Sequence, residues 1–192
     1  ALRAALRDGS LDRHDYYRVL LRVVYRLLFL FVAEDRDALL APDADPVARE
    51  RYRAHYSTQR LRELAQRRRG GRQHDRYEQL KVVMTALHAD GCPPLGLPAL
   101  GSFLWSPEAI GPLGEAVISN EYLLDAIRAL ATVNDGGVRR PVDFRNLGAE
   151  ELGSVYESLL ELVPEVHREA GVFKLEPAAG SERKTTGSYY TP

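Results

Sequence analysis

The densest group of side chains able to do chemistry is a run of ten arginines from Arg49 to Arg76. Only Glu50, Glu63 and Asp75 oppose them, which leaves a local net charge of +7. Guanidinium groups bind phosphate with two parallel hydrogen bonds, so a surface of this kind is able to follow a nucleic-acid backbone. No base-reading motif accompanies the run, and a solvated helical face with a basic loop is the simpler interpretation. For contact with a DNA backbone, the candidate residues are Arg60, Arg67, Arg68, Arg69 and Arg72.

The other titratable residues form no recognisable site. No two of the five histidines share the spacing of paired metal ligands, and the nearby acidic residues are not organised around them. The cluster from Glu34 to Asp37 reads EDRD at the end of an apolar run. Two carboxylates beside an arginine more often form a salt-bridge network at a helix end than an acid–base pair. We therefore predict no catalytic residue and no metal ligand in this chain. The histidines are His14, His55, His74, His88 and His167.

Composition indicates an ordinary globular protein. The 192 residues are 45% hydrophobic and 28% charged, with a formal net charge of -1. That length allows one domain with a sizeable core, or two small ones, and the net charge demands neither nucleic acid nor membrane as a partner. The single Cys92 excludes an internal disulfide and favours a cytoplasmic protein. The most apolar run, LLFLFVA at 27–33, is too short to span a bilayer and predicts a buried helix.

The elements that must position these residues are helices. Ser10 is a plausible N-cap for one long helix over 11–40, whose centre is apolar all round. Asp45 followed by Pro46, and then Ser57, are start signals for the next two helices. Further helices are predicted over 74–89, 121–132 and 149–162, with 90–114 an ordered but irregular segment rich in Gly, Pro and large apolar residues. The Gly-rich stretches at 68–71 and 135–137 are interpreted as turns, since no strand precedes them.

The C-terminal part is predicted to contain a short β-hairpin. The segments PEVHRE and GVFKLEP flank residues 169–171, which read as its turn. The fold class is therefore mainly α, an irregular multi-helix domain with a short β-hairpin near the C-terminus. We divide the chain into a helical domain over 1–162 and, over 163–192, a short β element with a loop. The first residues read as a helix already under way and the last as an extended YYTP, so we expect the chain to be a piece of a larger protein.

Three stretches together resemble one family. They are YRLLFLFVAEDRDALL at 25–40, FRNLGAEELGSVYESLLEL at 144–162 and RKTTGSYYTP at 183–192. In this order they resemble the helical region before the catalytic domain of large adenine-specific DNA methyltransferases. That family includes Eco57I-like restriction–modification enzymes and the methyltransferases of phage-defence systems such as phage growth limitation, BREX and DISARM.

The resemblance implies a helical connector that braces an S-adenosylmethionine-dependent catalytic domain of the same chain and acts on double-stranded DNA through that parent. It also implies that Tyr190, Thr191 and Pro192 border the cofactor pocket. The glycine-rich cofactor loop and the Asn/Asp-Pro-Pro-aromatic motif that grips a flipped adenine do not occur in these 192 residues. The segment itself is therefore expected to be inactive and to bind no cofactor. The alternative is a stand-alone helical protein-interaction module with no enzymatic parent.

Overall fold

The computed structural model describes residues 2–88, 90–167 and 172–177, and it is mainly α-helical, as the sequence predicts. The helices are α1 (Leu2–Asp8), α2 (Arg13–Asp35), α3 (Pro46–Arg51, followed by a π-helical turn over Tyr52–Tyr56), α4 (Thr58–Arg67), α5 (Asp75–Ala86), α6 (Pro107–Ile110), α7 (Asn120–Ala131) and α8 (Ala149–Leu160). Strands β1 (Thr132–Asp135) and β2 (Val138–Pro141) form one antiparallel hairpin, and β3 (Leu162–His167) and β4 (Val172–Pro177) form a second.

The chain divides into two compact units. One comprises 19–147, and the other combines 1–18 with 148–192. The larger unit holds the main hydrophobic core, in which α2, α4, α5 and α7 bury their apolar faces against one another. The most completely buried side chains of this core include Leu30, Phe31, Ala65, Leu80, Val83, Leu87, Ile127 and Phe144. None of the helices in the described ranges is long and apolar enough to cross a membrane.

Helix α2 is shorter than the predicted span of 11–40, and Ser10 is not its N-cap. The carboxylate of Asp12 instead accepts from the backbone N–H groups of His14 and Asp15, at 2.8 and 3.1 Å. At the other end Asp37 adopts a left-handed conformation with φ 53°. The N–H of Ala38 then reaches the carbonyl of Ala33 at 2.8 Å, which is the hydrogen bond of a Schellman motif. An aspartate takes the position that glycine usually fills, so the sequence carries no obvious stop signal.

The starts of the next two helices agree with the prediction. Asp45 caps α3 by accepting from Val47 and Ala48, and Ser57 caps α4 by accepting from Arg60. The irregular segment is ordered, as predicted, and consists of short 3₁₀ turns and α6. Its Leu95, Leu97 and Trp105 are buried in the core.

The first hairpin was not predicted. The NDGG stretch predicts only a turn that ends α7, but the chain continues from α7 directly into β1. Gly136 and Gly137 have φ values of 58° and 85° and lie between the paired residues Asp135 and Val138. Two consecutive positive φ angles are what a two-residue hairpin turn of type I′ requires. Because every residue of β1 and β2 except the half-buried Thr132 is exposed, the sequence contains no alternation of apolar and polar residues that would predict these strands.

The smaller unit contains the predicted C-terminal hairpin. Strands β3 and β4 pair antiparallel from Leu162 opposite Pro177 to His167 opposite Val172. Within this unit the hydroxyl of Tyr17 donates to the carbonyl of Leu159 in α8, and Tyr16 meets Phe173 edge to face at 5.1 Å. The predicted domain boundary after residue 162 stays a prediction. The YYTP residues lie outside the described part of the chain.

Candidate nucleic-acid interface

The ten arginines from Arg49 to Arg76 fall into two groups. Five of them hold the chain together. Arg49 donates to the carbonyls of Ala41, Pro42 and Ala44, and Arg51 donates to that of Pro94. Arg53, Arg62 and Arg76 pair with Asp37, Asp35 and Asp75. The ten arginines therefore do not form a single basic face, because five of them already make hydrogen bonds or ion pairs with other residues of the chain.

The remaining five are the candidates singled out from the sequence. Within the described ranges the guanidinium groups of Arg60, Arg67, Arg68, Arg69 and Arg72 make no ion pair or side-chain hydrogen bond, and all but the half-buried Arg60 are exposed. A guanidinium in water is stable without a partner, so exposure alone assigns no role. Their arrangement on the backbone decides whether they can act together.

Helix α4 ends just where the triple arginine begins. Arg68 is extended, with φ −135° and ψ 151°, and closes the helix as its C-cap. Arg128 of α7 donates to the carbonyls of Ala65 and Arg68, at 2.6 and 2.7 Å, and also pairs with Asp125. A cation at this position satisfies the last carbonyls and opposes the negative end of the helix dipole. Arg128 thus fixes the backbone from which Arg67 and Arg68 project.

The loop after α4 is held against the first turn of α7. Gly70 has φ 81°, and a Cβ placed there would lie 2.6 Å from the backbone carbonyl carbon of Asn120. The N–H groups of Asn120 and Glu121 donate to the carbonyls of Gln73 and Gly71, at 2.6 and 3.0 Å. These bonds satisfy helix N–H groups that have no partner within α7. The loop is therefore fixed through its backbone, while its arginine side chains remain available.

Three of the candidate arginines line one polar cavity of about 510 Å³, together with Arg128 and Arg139. Its carboxylates are Glu121 and Asp125, so five cations face two anions and the lining has a net charge of +3. Because Asp125 is already paired with Arg128, Glu121 alone opposes the other cations. We call this cavity the arginine groove; the residues that line it are Gln66, Arg67, Arg68, Arg69, Glu121, Asp125, Arg128 and Arg139.

Arg139 is the groove residue that sequence reasoning missed. It lies in β2, opposite Asn134, on the hairpin that the sequence analysis treated as a turn. The dipeptide Gly-Gly between short segments was the signal available for that hairpin. Conversely, Arg60 and Arg72 do not line the groove. The groove has no aromatic lining on which a base could stack, so its chemistry suits phosphate groups rather than bases.

The acidic cluster at the end of α2 is a structural network, as expected. Glu34 accepts four hydrogen bonds at the start of α4, from the hydroxyls of Tyr52 and Thr58 and from the N–H groups of Thr58 and Gln59, at 2.5 to 2.8 Å. Burial raises the pKa of Tyr52, and the nearby charge of Glu34 raises it further. Tyr52 therefore stays protonated and donates its hydroxyl hydrogen to Glu34.

Asp35 completes the network through Arg62. The two form a twofold salt bridge with nitrogen–oxygen distances of 2.5 and 3.0 Å. The same guanidinium lies 5.0 Å from the ring centre of Phe31 and 5.3 Å from that of Phe144, and the two rings meet edge to face at 5.0 Å. Arg36 donates to the carbonyls of Arg145 and Leu147, at 3.0 and 2.7 Å. Residues 31–36 and 144–147 are thereby joined through both packing and hydrogen bonds.

One histidine has acidic neighbours that the sequence analysis did not recognise. On the β3–β4 hairpin, ligand atoms of Glu165, His167 and Glu176 lie within 4.8 Å of one another. The expectation that no acidic residues are organised around a histidine is wrong at this position, because the strand pairing brings Glu176 across from β4. Lys174 is the cross-strand partner of Glu165 and supplies a cation there. The three side chains are exposed or half-buried, as in an ordinary group of surface ion pairs.

The predicted cofactor-binding residues Tyr190, Thr191 and Pro192 lie outside the described residues, so their role stays a prediction. Comparison with known proteins gives no relative. The sequence matches no protein-family model, no curated protein and no solved structure at a significant level.

Proposed function

We propose that this chain is the helical connector of a cytoplasmic S-adenosylmethionine-dependent DNA adenine N6-methyltransferase of restriction–modification or phage defence. In this proposal it braces the catalytic domain and holds double-stranded DNA through phosphate contacts in the arginine groove. The chain itself transfers no methyl group. The observation that carries the DNA contact is the groove: Arg67, Arg68, Arg69 and Arg139 converge there without ion-pair partners among the described residues.

The charge and the rigidity of the arginine groove both favour phosphate as its ligand. Each guanidinium that reaches a phosphate releases condensed counterions, and this release drives nucleic-acid binding that is independent of sequence. The loop from Arg68 to Gln73 is held by backbone hydrogen bonds to α7, so less conformational entropy is lost on binding than for a free loop. The groove residues outside the Arg128–Asp125 pair present four cations against Glu121 alone. A polyanion is the partner that suits this balance.

Support for the methyltransferase parent comes from the resemblance. Within the larger unit, the stretch at 25–40 meets the first residues of the second stretch, 144–147, through Phe31 and Phe144 and through the Arg36 hydrogen bonds. Segments far apart in sequence but packed together are what a conserved structural unit would need. The third stretch, which carries the cofactor-bordering residues, contributes only its sequence to this argument.

Support for a bracing role comes from the smaller unit. Helix α8 has no fully buried residue, although it carries several large apolar side chains. Val155 and Leu160 are 38% and 51% exposed, and Val172 and Leu175 of the following hairpin are 40% and 42% exposed. In the proposal, these exposed apolar side chains lie against the catalytic domain, because a protein surface that another domain covers is enriched in exposed apolar groups.

The DNA contact is tested by titrating a fluorescein-labelled duplex of arbitrary sequence with the 192-residue chain at several salt concentrations. We expect weak binding that is indifferent to sequence and falls steeply with salt. The triple variant Arg67→Gln/Arg68→Gln/Arg69→Gln removes three cations from the groove. Its log–log salt slope should be shallower by about 2.7, since each lost phosphate contact contributes about 0.9.

A matched control separates the groove from overall charge. The variant Arg13→Gln/Arg18→Gln/Arg145→Gln removes the same number of exposed arginines elsewhere and should keep the wild-type slope. Equal losses in both variants would mean that net charge, not the groove, attracts DNA. An unchanged salt slope in the groove variant would mean that Arg67, Arg68 and Arg69 do not contact DNA and are ordinary solvent-exposed arginines.

The methyltransferase parent is tested separately, by determining the coding sequence that adjoins the codon for Pro192. The proposal requires a glycine-rich strand–turn–helix within a few tens of residues, followed by an Asn/Asp-Pro-Pro-aromatic motif. Finding neither would favour a stand-alone helical interaction module, and it would leave the outcome of the DNA experiment intact.

A further inference from the structure

Arg26 is a buried cation in the middle of α2. Its side chain is only 2% exposed. Nε donates to the carbonyl of Leu104 and Nη2 to that of Ser106, at 2.6 and 2.7 Å. Its guanidinium lies 5.7 Å from the ring centre of Trp105. These contacts tie the irregular segment to α2 and satisfy two of the three guanidinium nitrogens.

Among the residues that the structure describes, the charge of Arg26 has no counter-ion. No acidic side chain in the described ranges forms a salt bridge with it, and Nη1 has no hydrogen bond among those residues. Burial lowers the pKa of Arg26, although a guanidinium remains protonated in proteins. A buried charge is costly unless it is paired, and backbone carbonyls supply only partial charges. An anion at Nη1 would complete the arrangement.

Arg26 lines a cavity of about 310 Å³, in the range typical of small-molecule sites. Apolar walls come from Val23, Met84, Trp105 and Ile110, and polar groups come from Tyr77, Lys81, Thr85, His88 and Glu115. Burial raises the pKa of Tyr77, so its hydroxyl stays protonated and is able to donate to an anion.

The charged groups around the cavity set the kind of anion. Lys81 is already paired with Glu78 at 2.8 Å, and Glu115 is exposed. This leaves Arg26 as the buried cation without a carboxylate partner, which matches one negative charge better than several. The apolar walls match a hydrocarbon or aromatic body attached to that charge.

We propose that this cavity binds a small monocarboxylate with an apolar body, its carboxylate oxygen accepting from Nη1 of Arg26 and its body packing against Trp105. This site is separate from the arginine groove, and none of the residues that line one lines the other. The inference does not depend on the methyltransferase parent.

The experiment uses the intrinsic fluorescence of Trp105, the only tryptophan of the chain. Sodium benzoate is titrated into the full 192-residue chain, with benzyl alcohol as an uncharged probe of similar shape and inorganic phosphate as a charged probe without an apolar body. We expect a saturable change with benzoate and an affinity at least about tenfold weaker for both other probes. Benzyl alcohol lacks the hydrogen bond between two charged groups, which is worth about a factor of ten or more, and phosphate lacks the apolar ring whose burial contributes about as much.

Variants identify the groups responsible. Arg26→Gln should abolish the response to benzoate, whereas Arg18→Gln, the same change at an exposed arginine of the same helix, should leave it unchanged. Since Arg26→Gln removes two internal hydrogen bonds and can unfold the chain, Thr85→Phe offers a second route. Thr85 is exposed on α5 and lines the cavity, so the added ring should obstruct it and weaken benzoate binding at least about tenfold.

Several results would overturn the proposal. Benzoate producing no saturable change would do so, and so would benzyl alcohol or phosphate binding as tightly as benzoate. Benzoate affinity that survives Thr85→Phe in a folded protein would place the ligand elsewhere.

Discussion

Replacing Glu34 by glutamine tests whether the end of α2 organises the start of α4. In the wild type, one carboxylate oxygen accepts from the hydroxyl of Tyr52 and the N–H of Thr58, and the other accepts from the hydroxyl of Thr58 and the N–H of Gln59. Glutamine keeps the shape but replaces one oxygen by an N–H₂ donor.

The expected loss follows from those four bonds. The Thr58 hydroxyl can rotate and accept a hydrogen bond from the new side-chain amide. The backbone N–H of Gln59 can only donate, so it would face the N–H₂ donor of the glutamine and lose its hydrogen bond. The bonds at the remaining oxygen lose their charge assistance, as does the favourable placement of an anion at a helix N-terminus. With hydrogen bonds to charged groups worth about 1.5–3 kcal/mol, Glu34→Gln should reduce the free energy of unfolding by about 2–4 kcal/mol.

The assay is thermal unfolding followed by circular dichroism, with Glu63→Gln on the exposed face of α4 as the matched control. For a chain of this length each kcal/mol shifts the melting temperature by about 2–4 °C, so Glu34→Gln should lower it by about 4–16 °C. The control should stay within about 0.5 kcal/mol of wild type. Equal melting temperatures for Glu34→Gln and the control would refute the assigned role of Glu34.

Two further predictions concern the contact between the arginine loop and α7. Gly70→Ala should destabilise the chain more than Gly136→Ala, because both have positive φ but only the Gly70 Cβ would meet backbone within 3 Å. Urea unfolding compares them, and equal losses would contradict the close approach at Asn120. Hydrogen bonding from Asn120, with a smaller contribution from Arg76, lowers the pKa of Asp75, so Asn120→Ala should raise that pKa towards its ordinary value in an NMR titration of the Asp75 carboxyl group. A carboxyl group whose pKa is lower in the folded state stabilises the protein at pH values above its unfolded-state pKa, and this stabilisation is lost as the pH falls through the folded-state pKa. The difference in free energy of unfolding between wild type and Asn120→Ala should therefore become smaller at acid pH. A difference that does not change with pH would contradict this.

Local sequence signals predicted helix starts better than helix ends. The N-caps Asp45 and Ser57 accept hydrogen bonds from backbone N–H groups only two or three residues away. Their effect can therefore be predicted from a short stretch of sequence. The end of α2 depends on the left-handed conformation of Asp37. A glycine at that position would have predicted a helix end, but an aspartate does not. That carboxylate also pairs with Arg53 of the π-helical turn, a tertiary contact that no local pattern contains.

The same distinction applies to the candidate site. Arginine density indicated a phosphate-binding surface, yet Arg60 and Arg62, two residues apart on α4, have different environments. The guanidinium of Arg62 forms a salt bridge with Asp35 and lies against two aromatic rings, whereas Arg60 makes no such contact within the described ranges. Which arginines remain available is decided by partners distant in sequence. Arg139 joins the groove only because a hairpin forms where a turn was predicted.

The contacts of Arg62 with Asp35, Phe31 and Phe144 also restrict how related sequences can diverge. Lysine carries the same charge, but it offers neither the planar stacking surface nor the paired donors that Phe31, Phe144 and Asp35 engage. Substitution at any one of these four positions therefore leaves the others mismatched, and changes there are expected to accumulate jointly. In a distant homologue that has lost every contiguous motif, these four positions, spread over more than a hundred residues, are still expected to vary together. A search for such joint variation offers a route to relatives that comparison of whole sequences does not detect.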